Sequence, residues 1–489
     1  MGLPQHAYPP NPSNVGHVLL MVLVPVDFGV SSNDGRFGHD GTALLTNCYA
    51  EALGPEGKAP VAIYASHGLK SFTSVTQTIT RGLLTLDNVL LAVIGTQLYE
   101  VQTDGSTTAV GGIGDTGKVS MSRNSKANTP QVVISTQGGL RFLYEDGELT
   151  SISDSDLPPP NSNTYLDGYT MYGINDGRIF YSEINDAANI SSLNFFEAEA
   201  SPDKLKGIIA VSRQLFAVGE DTIEVFQNTG AANNPFTRLR GAPIAKGCLA
   251  TGTIKEFAQT FAWVGDDGRV YVMSGYTPQV ISNHYIERLI DEEATPDNLT
   301  ADVYRMRGHE FYILSGTNFT VAYDAGAGWH DKASSGLTRW RGQCITKYGE
   351  KWICGDQSNG NLYEIDPDTY NENGEDMTMR IRSPIQHNTP NRLQYNSLYL
   401  DFVTGVGLNT TDTHNSDPKV MLRYSDDGAK SWSNERTRSL GEIGEYKTRV
   451  KFSRLGTDRY HGRTFEIAVS AQVARGFLGA YADVMQAAA

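Results

Sequence analysis

From about residue 85 onward the chain repeats one phrase: an apolar run, a Gly/Asp/Asn turn, then a second short run rich in Tyr, Phe, Val and Ile. NVLLAVIGTQLYEV at 88–101 comes first. After it come QVVISTQGGLRFLYEDG, YTMYGINDGRIFYSE, RQLFAVGEDTIEVFQ, TFAWVGDDGRVYVMSG, EFYILSGTNFTVAYD and KWICGDQSNGNLYEID. Each phrase predicts a β-hairpin, two alternating strands around a turn. Aligned on the second strand, Leu98, Leu140, Ile179, Ile223, Val270, Val321 and Leu362 recur at intervals of 39 to 51 residues. That period suits a four-stranded propeller blade, whose apolar face stays bare until a neighbouring blade covers it. A β-solenoid needs a shorter repeat, and helical repeats need a 3.6-residue pattern that is missing here. The expected fold is all-β, with a β-propeller of six or seven blades.

Two segments depart from the phrase. HYIERLIDEE at 284–293 places Ile286, Leu289 and Ile290 on one helical face, and Pro296 limits its extension, so a short helix is expected between blades. Beyond Asp376 the strands lengthen, in LQYNSLYLDFVTGV, KVMLRYSDDGAKSWS, YKTRVKFSRLG and RTFEIAVSAQV, which suggests a separate C-terminal β-sandwich. The acidic, Asn-rich DPDTYNENGED at 366–376 reads as the junction, a solvated linker rather than a calcium loop, since Pro367 and the spacing depart from an EF-hand. The expected division is an N-terminal arm at 1–41, the propeller at 42–375 and the sandwich at 376–489.

Composition narrows the class. A length of 489 residues favours several domains or a repeat architecture, and 50 Gly with 24 Tyr and 18 Phe favours turns and strands. The net charge of −15 argues against a general nucleic-acid binder, which needs surplus Lys and Arg to displace phosphate counterions. Cys48, Cys248, Cys344 and Cys354 form no CxxC pair, so neither a zinc site nor a disulfide scaffold is indicated and a reducing compartment fits best. VLLMVLVPV at 18–26 is too short to span a bilayer, so no membrane insertion is expected; it reads as a buried strand or a partner-binding arm.

Several stretches invite a chemical reading. GGIGDTGKVS at 111–120 contains GxGxxG and most of a Walker A pattern, but Val119 stands where Ser or Thr would hold magnesium and no helix is expected to follow. A Gly-rich turn is the expectation. The ten His show no metal-ligand spacing. YSDDGAKSWS at 424–433 resembles the Asp-box turn of sialidase-like propellers, with Ser425, Asp427 and Trp432 in place, Ala429 where Gly is usual and Ser431 where Thr is usual. One imperfect copy in the presumed sandwich reads as a hairpin with Trp432 as its core plug. From Glu435 to Phe465 eight Lys or Arg face four Asp or Glu, a local +4 in an acidic chain. Strand alternation sends Lys447, Arg449 and Lys451 to one face, with Val450 and Phe452 opposite, and these three with Arg454 are the interface candidates.

Taken together, NCYAEALGPEGKAPVAIYASHGLKSF (47–72), GKVSMS, EDTIEVFQNTG, KGCLATGT, YIERLI, VAYDAGAGWHD, WICGDQSNGNLYEID and the basic C-terminal strands resemble the packaged-DNA stabilization, or tail hub, proteins of short-tailed phages (podoviruses). The resemblance spans roughly residues 42–485 in the same order, whereas residues 1–40 match little. It implies a virion structural protein without catalytic residue, cofactor or metal. It further implies a ring, a hexamer, beneath the portal and head-to-tail adaptor. Such a ring extends and closes the DNA channel, retains the genome until ejection, and seats a tail needle or plug and tailspikes or fibres. The location implied is the virion tail, with assembly in the host cytoplasm. Double-stranded DNA would pass without specific binding, along a neutral or acidic wall. The competing reading is a sialidase-like or sugar-binding propeller acting in host adsorption.

Overall fold

Each of the seven expected hairpins forms the middle pair of a four-stranded antiparallel blade. The computed structural model describes residues 23–198, 203–239, 241 and 243–487. Blades 1 to 6 are consecutive in sequence, at 80–112, 119–151, 162–197, 205–238, 255–280 and 300–331. Their inner strands touch in series around a common axis, and the inner strand of blade 7, Gly342–Tyr348, returns to that of blade 1, Thr80–Leu86. The count is seven.

The strand Val89–Ile94 explains why such hairpins need neighbours. On one face Leu90, Ala92 and Ile94 pack with Tyr348, Ile353 and Leu362 of blade 7. On the other, Leu91 and Val93 pack with Val132, Ile134 and Tyr144 of blade 2. Alternate side chains thus fill two inter-blade cores, and burying each aliphatic group contributes about 1.5–3 kcal/mol only when both neighbours are present. Six of the seven aligned positions are fully buried. Leu140 is the exception at 46% exposed. The turn of blade 2 is longer there, its strand starts at Arg141, and the Thr136 hydroxyl accepts from the Leu140 N–H.

Blade 7 closes the ring with sequence from the other end of the chain. Its outer strand is Gly68–Ser74, paired antiparallel with Asn361–Asp366 from Gly68 opposite Asp366 to Ser74 opposite Asn361. The strand pairing therefore differs from an expected propeller opening at residue 42. Thr42–Thr46 and Val61–Ala65 pair with the C-terminal body, through partners hundreds of residues away, and Cys48–Ala52 joins the same body by its hairpin pairing with Val61–Ala65. Leu23–Val26 lies antiparallel to residues 480–483, so this part of the 18–26 segment is an edge strand; the rest lies outside the described residues, as does most of the arm at 1–41.

The sandwich consists of two sheets around a core that includes Leu45, Ile63, Ile381, Leu398, Phe452, Phe465, Ile467 and Phe477. One sheet runs Cys48–Ala52, Val61–Ala65, Gly476–Ala487, Arg392–Phe402, Val450–Thr457. The other is a continuation of blade 6: beyond Gly328–Asp331 come Thr42–Thr46, Met379–Arg382, Thr464–Val469, Lys419–Ser425 and Arg436–Ser439. Propeller and sandwich thus share one ten-stranded sheet. The segment at 366–376 is no solvated linker. Glu372 is buried, pairs in parallel with Leu69 of the closing strand and meets Arg341 at 3.3 Å.

The expected helix forms at His284–Asp291, capped by the Asn283 side chain accepting from the Ile286 N–H. Ile286 and Ile290 enter the core between blades 5 and 6 beside Trp329. Its outer side carries the arm: the Asn283 amide donates to Ser32 O, and Arg288 donates to Asp34 O.

Candidate functional site

The basic segment lies at one edge of the sandwich. Its strand begins only at Val450, with Val450, Phe452 and Leu455 buried against the core. Arg449 and Lys451 come together over the ring of Tyr399 in the adjacent strand, at 4.4 and 4.9 Å from its centroid. Lys451 beside the phenol oxygen holds the Tyr399 hydroxyl below its ordinary pKa. Lys447 is not part of this pair, because it sits in the exposed turn ahead of the strand. Arg454 stands apart too, exposed at a bulge with φ of 61°. Local alternation could not foresee where the strand would start.

Two further arginines complete the surface. Arg436 donates to the carbonyls of Ser453 and Arg454, and Arg438 donates to Lys451 O while lying 5.3 Å from the Phe452 centroid. Both come from the edge strand of the opposite sheet, so their guanidinium groups stitch the open side of the sandwich. Among the described residues, none of Arg436, Arg438, Lys447, Arg449, Lys451 and Arg454 forms an ion pair. Tyr399 faces Tyr481 on the next strand, 47% exposed. The result is a cationic and aromatic face with its charge unspent. The sequence signal for Arg436 and Arg438 was their charge, but their reach across the edge depends on a pairing that local pattern does not encode.

The Asp-box turn forms as a turn. Asp427 accepts from the N–H groups of Lys430 and Ser431 and from the hydroxyls of Ser425 and Ser431, and these bonds, the Ser431 hydroxyl first, hold its carboxyl well below the usual carboxylate range. Trp432 is not a core plug. It is half-buried, with Arg423 and Arg382 stacked 4.5 and 5.4 Å from its centroid. Those arginines and Arg380 converge on the buried carboxylate of Glu466. Gly428 packs backbone to backbone on Gly38, where a Cβ on either would collide, so the turn receives the N-terminal arm rather than a ligand. The Gly-rich segment at 111–120 is followed by the strand Val119–Arg123, and the carbonyls of Gly114 and Gly117 accept from the Arg81 guanidinium. Its carbonyls, and not a row of N–H donors, face the charged group.

A buried polar knot, unseen in the sequence, sits beneath the closing strand. His67, His309 and His330 surround Tyr49 and Phe311, drawn from segments far apart in the chain. His309 meets Asp324 at 2.6 Å. Burial, reinforced by nearby Lys332, pushes His67 down to about 3 and His330 well below its ordinary value. No metal-binding group of His, Cys, Asp and Glu occurs among the described residues.

The model of the family described as bacteriophage P22 Gp10, β-propeller matches residues 24–370, and that described as bacteriophage P22 Gp10, β-sandwich matches residues 379–485. The chain belongs to the phage P22 Gp10 family. Within the Gp10 family, the tail hub protein gp10 of Salmonella phage P22 is 24% identical over 341 residues, covering 61% of this chain and 69% of that one. Among solved structures, a streptogramin B lyase aligns with a TM-score of 0.43 at 10% identity, covering 61% of this chain and 97% of its own. The WD40 β-propeller domain of Doa1 aligns at 0.40 and 10% identity, over 61% and 96%.

Proposed function

We propose that this protein is the tail hub of a short-tailed phage. In this reading it is a non-enzymatic structural component of the virion tail that associates with other tail and portal components. The observation that carries the reading is the Gp10 family match across both bodies, propeller and sandwich. In finer detail, copies of the chain form a ring, a hexamer, beneath the portal and its adaptor. The ring lengthens and closes the DNA channel, retains the packaged genome and seats a needle or plug.

Two physical arguments support the finer reading. The axial cavity of the propeller holds only about 300 Å³, lined by inner-strand residues of all seven blades. A duplex whose major groove alone is about 12 Å wide cannot pass there, so a conduit has to run between copies. Rings of this kind arise when a head-to-tail contact closes on itself. A wall that releases DNA also has to be poor in cations, because each phosphate neutralised adds affinity. The chain's charge of −15 suits that wall, and the face of Arg449 and Lys451, with Lys447 and Arg454 exposed at its borders, is then turned toward an acidic protein neighbour.

Imaging of the purified protein with the portal and adaptor tests this directly. A closed ring on the channel axis, with Arg449 and Lys451 against protein, is expected; a monomer off the axis, or these side chains against DNA, overturns it. A null phage is expected to package DNA and then lose it.

A further inference from the structure

The propeller's axial channel contains cations that its own walls leave unmatched. Lys118, just ahead of the inner strand of blade 2, and Lys255, the first residue of the inner strand of blade 5, both line the cavity of about 300 Å³. Among the described residues, no hydrogen bond or ion pair joins either ammonium to another side chain. Enclosure lowers the Lys118 ammonium below its ordinary pKa, and its electrostatic neighbours include Asp302 but also Lys255 and Arg339.

The remaining wall does little to offset them. Arg81 is buried, spends its guanidinium on the neutral carbonyls of Gly95, Gly114 and Gly117, and keeps one terminal nitrogen unpartnered. Arg339, an electrostatic neighbour of Lys118 outside the lining, likewise donates only to backbone carbonyls and retains an unpartnered nitrogen. Asp302 is the one buried acid of the lining, and its two oxygens already accept the N–H groups of Cys344 at 2.8 Å and Ile345 at 3.1 Å. Glu256 and Asp297, also in the lining, are exposed. Confined charge without a partner is costly, and an anion with several acceptor oxygens relieves more than one donor at once.

We propose that the axial cavity lined by Lys118 and Lys255 binds a small, multiply charged oxyanion of the phosphate class. Lys255 stands on the inner strand of blade 5 and Lys118 directly precedes that of blade 2, so the propeller holds both backbones and selectivity follows charge and size. A monovalent anion leaves one ammonium unmatched, and a duplex is excluded by volume.

The test uses the full-length protein with pyrophosphate as probe and sodium chloride at matched ionic strength as control. Pyrophosphate is expected to raise Tm by about 2 °C or more beyond the chloride control. The double variant Lys118→Met, Lys255→Met is expected to have an unligated Tm equal to or above that of the parent and to lose the pyrophosphate response. Equal effects of pyrophosphate and chloride overturn the proposal, as does a response that survives in the double variant, which would place binding on the outer basic face. Should the double variant not fold, titration calorimetry on Lys118→Met decides the matter: affinity about tenfold weaker is expected, and an unchanged affinity overturns the site.

Discussion

Gly68 leaves almost no room at the point where the ring shuts. A Cβ there would lie 2.3 Å from Thr369 O and 2.5 Å from Asn371 O, both backbone atoms that cannot swing aside. Gly68→Ala is therefore expected to push the 369–371 segment off the closing strand, break the Gly68 N–H to Thr369 O bond of 2.9 Å, and cost about 2–3 kcal/mol in denaturant unfolding. His67, beside it, makes a separate prediction. Its folded pKa of about 3 lies below the ordinary 6.5, so below pH 6.5 the unfolded chain takes up a proton that the folded chain refuses. The stability present above pH 6.5 is then lost as pH falls toward 3, at about 1.4 kcal/mol per pH unit for each such histidine. His330, shifted the same way, adds to the slope. Burial raises Asp331 to about 6, and its protonation opposes this decline over the same window, so the test is the difference between parent and His67→Gln in thermal unfolding from pH 6.5 to 5, where the parent is expected to lose more stability.

At the scale of strands, the middle hairpin of every blade was legible, because burial on both faces demands an unbroken apolar run such as VLLAVI. The inner strands were not. TRGLLTL, SNTYL and KEF face a polar channel and mix Gly, Lys, Asn and Thr, so they lose the pattern that marks a strand. The strands TALLT and VAIYA find their partners in the C-terminal body, and local periodicity says nothing about partnership. The basic face was half legible: the charge of Arg449 and Lys451 was plain, whereas Tyr399 beneath them and the stitching arginines required the sheet order. Arg436 and Arg438 also guard an edge whose carbonyls could accept a foreign strand. The pair Arg436→Ala, Arg438→Ala is expected to raise the fraction of large aggregates in light-scattering chromatography with little change in secondary structure.

For the whole molecule, the shared ten-stranded sheet and the buried Glu372 make propeller and sandwich one unit. A single calorimetric transition is expected. A chain ended at residue 376 is expected to be insoluble, because the strands between 42 and 65 lose partners at 379–382 and 476–477 and bare their apolar faces. Two separate transitions, or a soluble truncated propeller, would show that the bodies are independent.

The closing strand has a further consequence, in time. A ribosome delivers Gly68–Ser74 early and its partner Asn361–Asp366 nearly three hundred residues later. Until then the first blade and the seventh are each covered on one side alone, and the growing chain is an open crescent with a sticky lip at either end. The clasp can fasten only once both strands have emerged, so the interval before it is the time when a crowded cell has most opportunity to lose the molecule to aggregation.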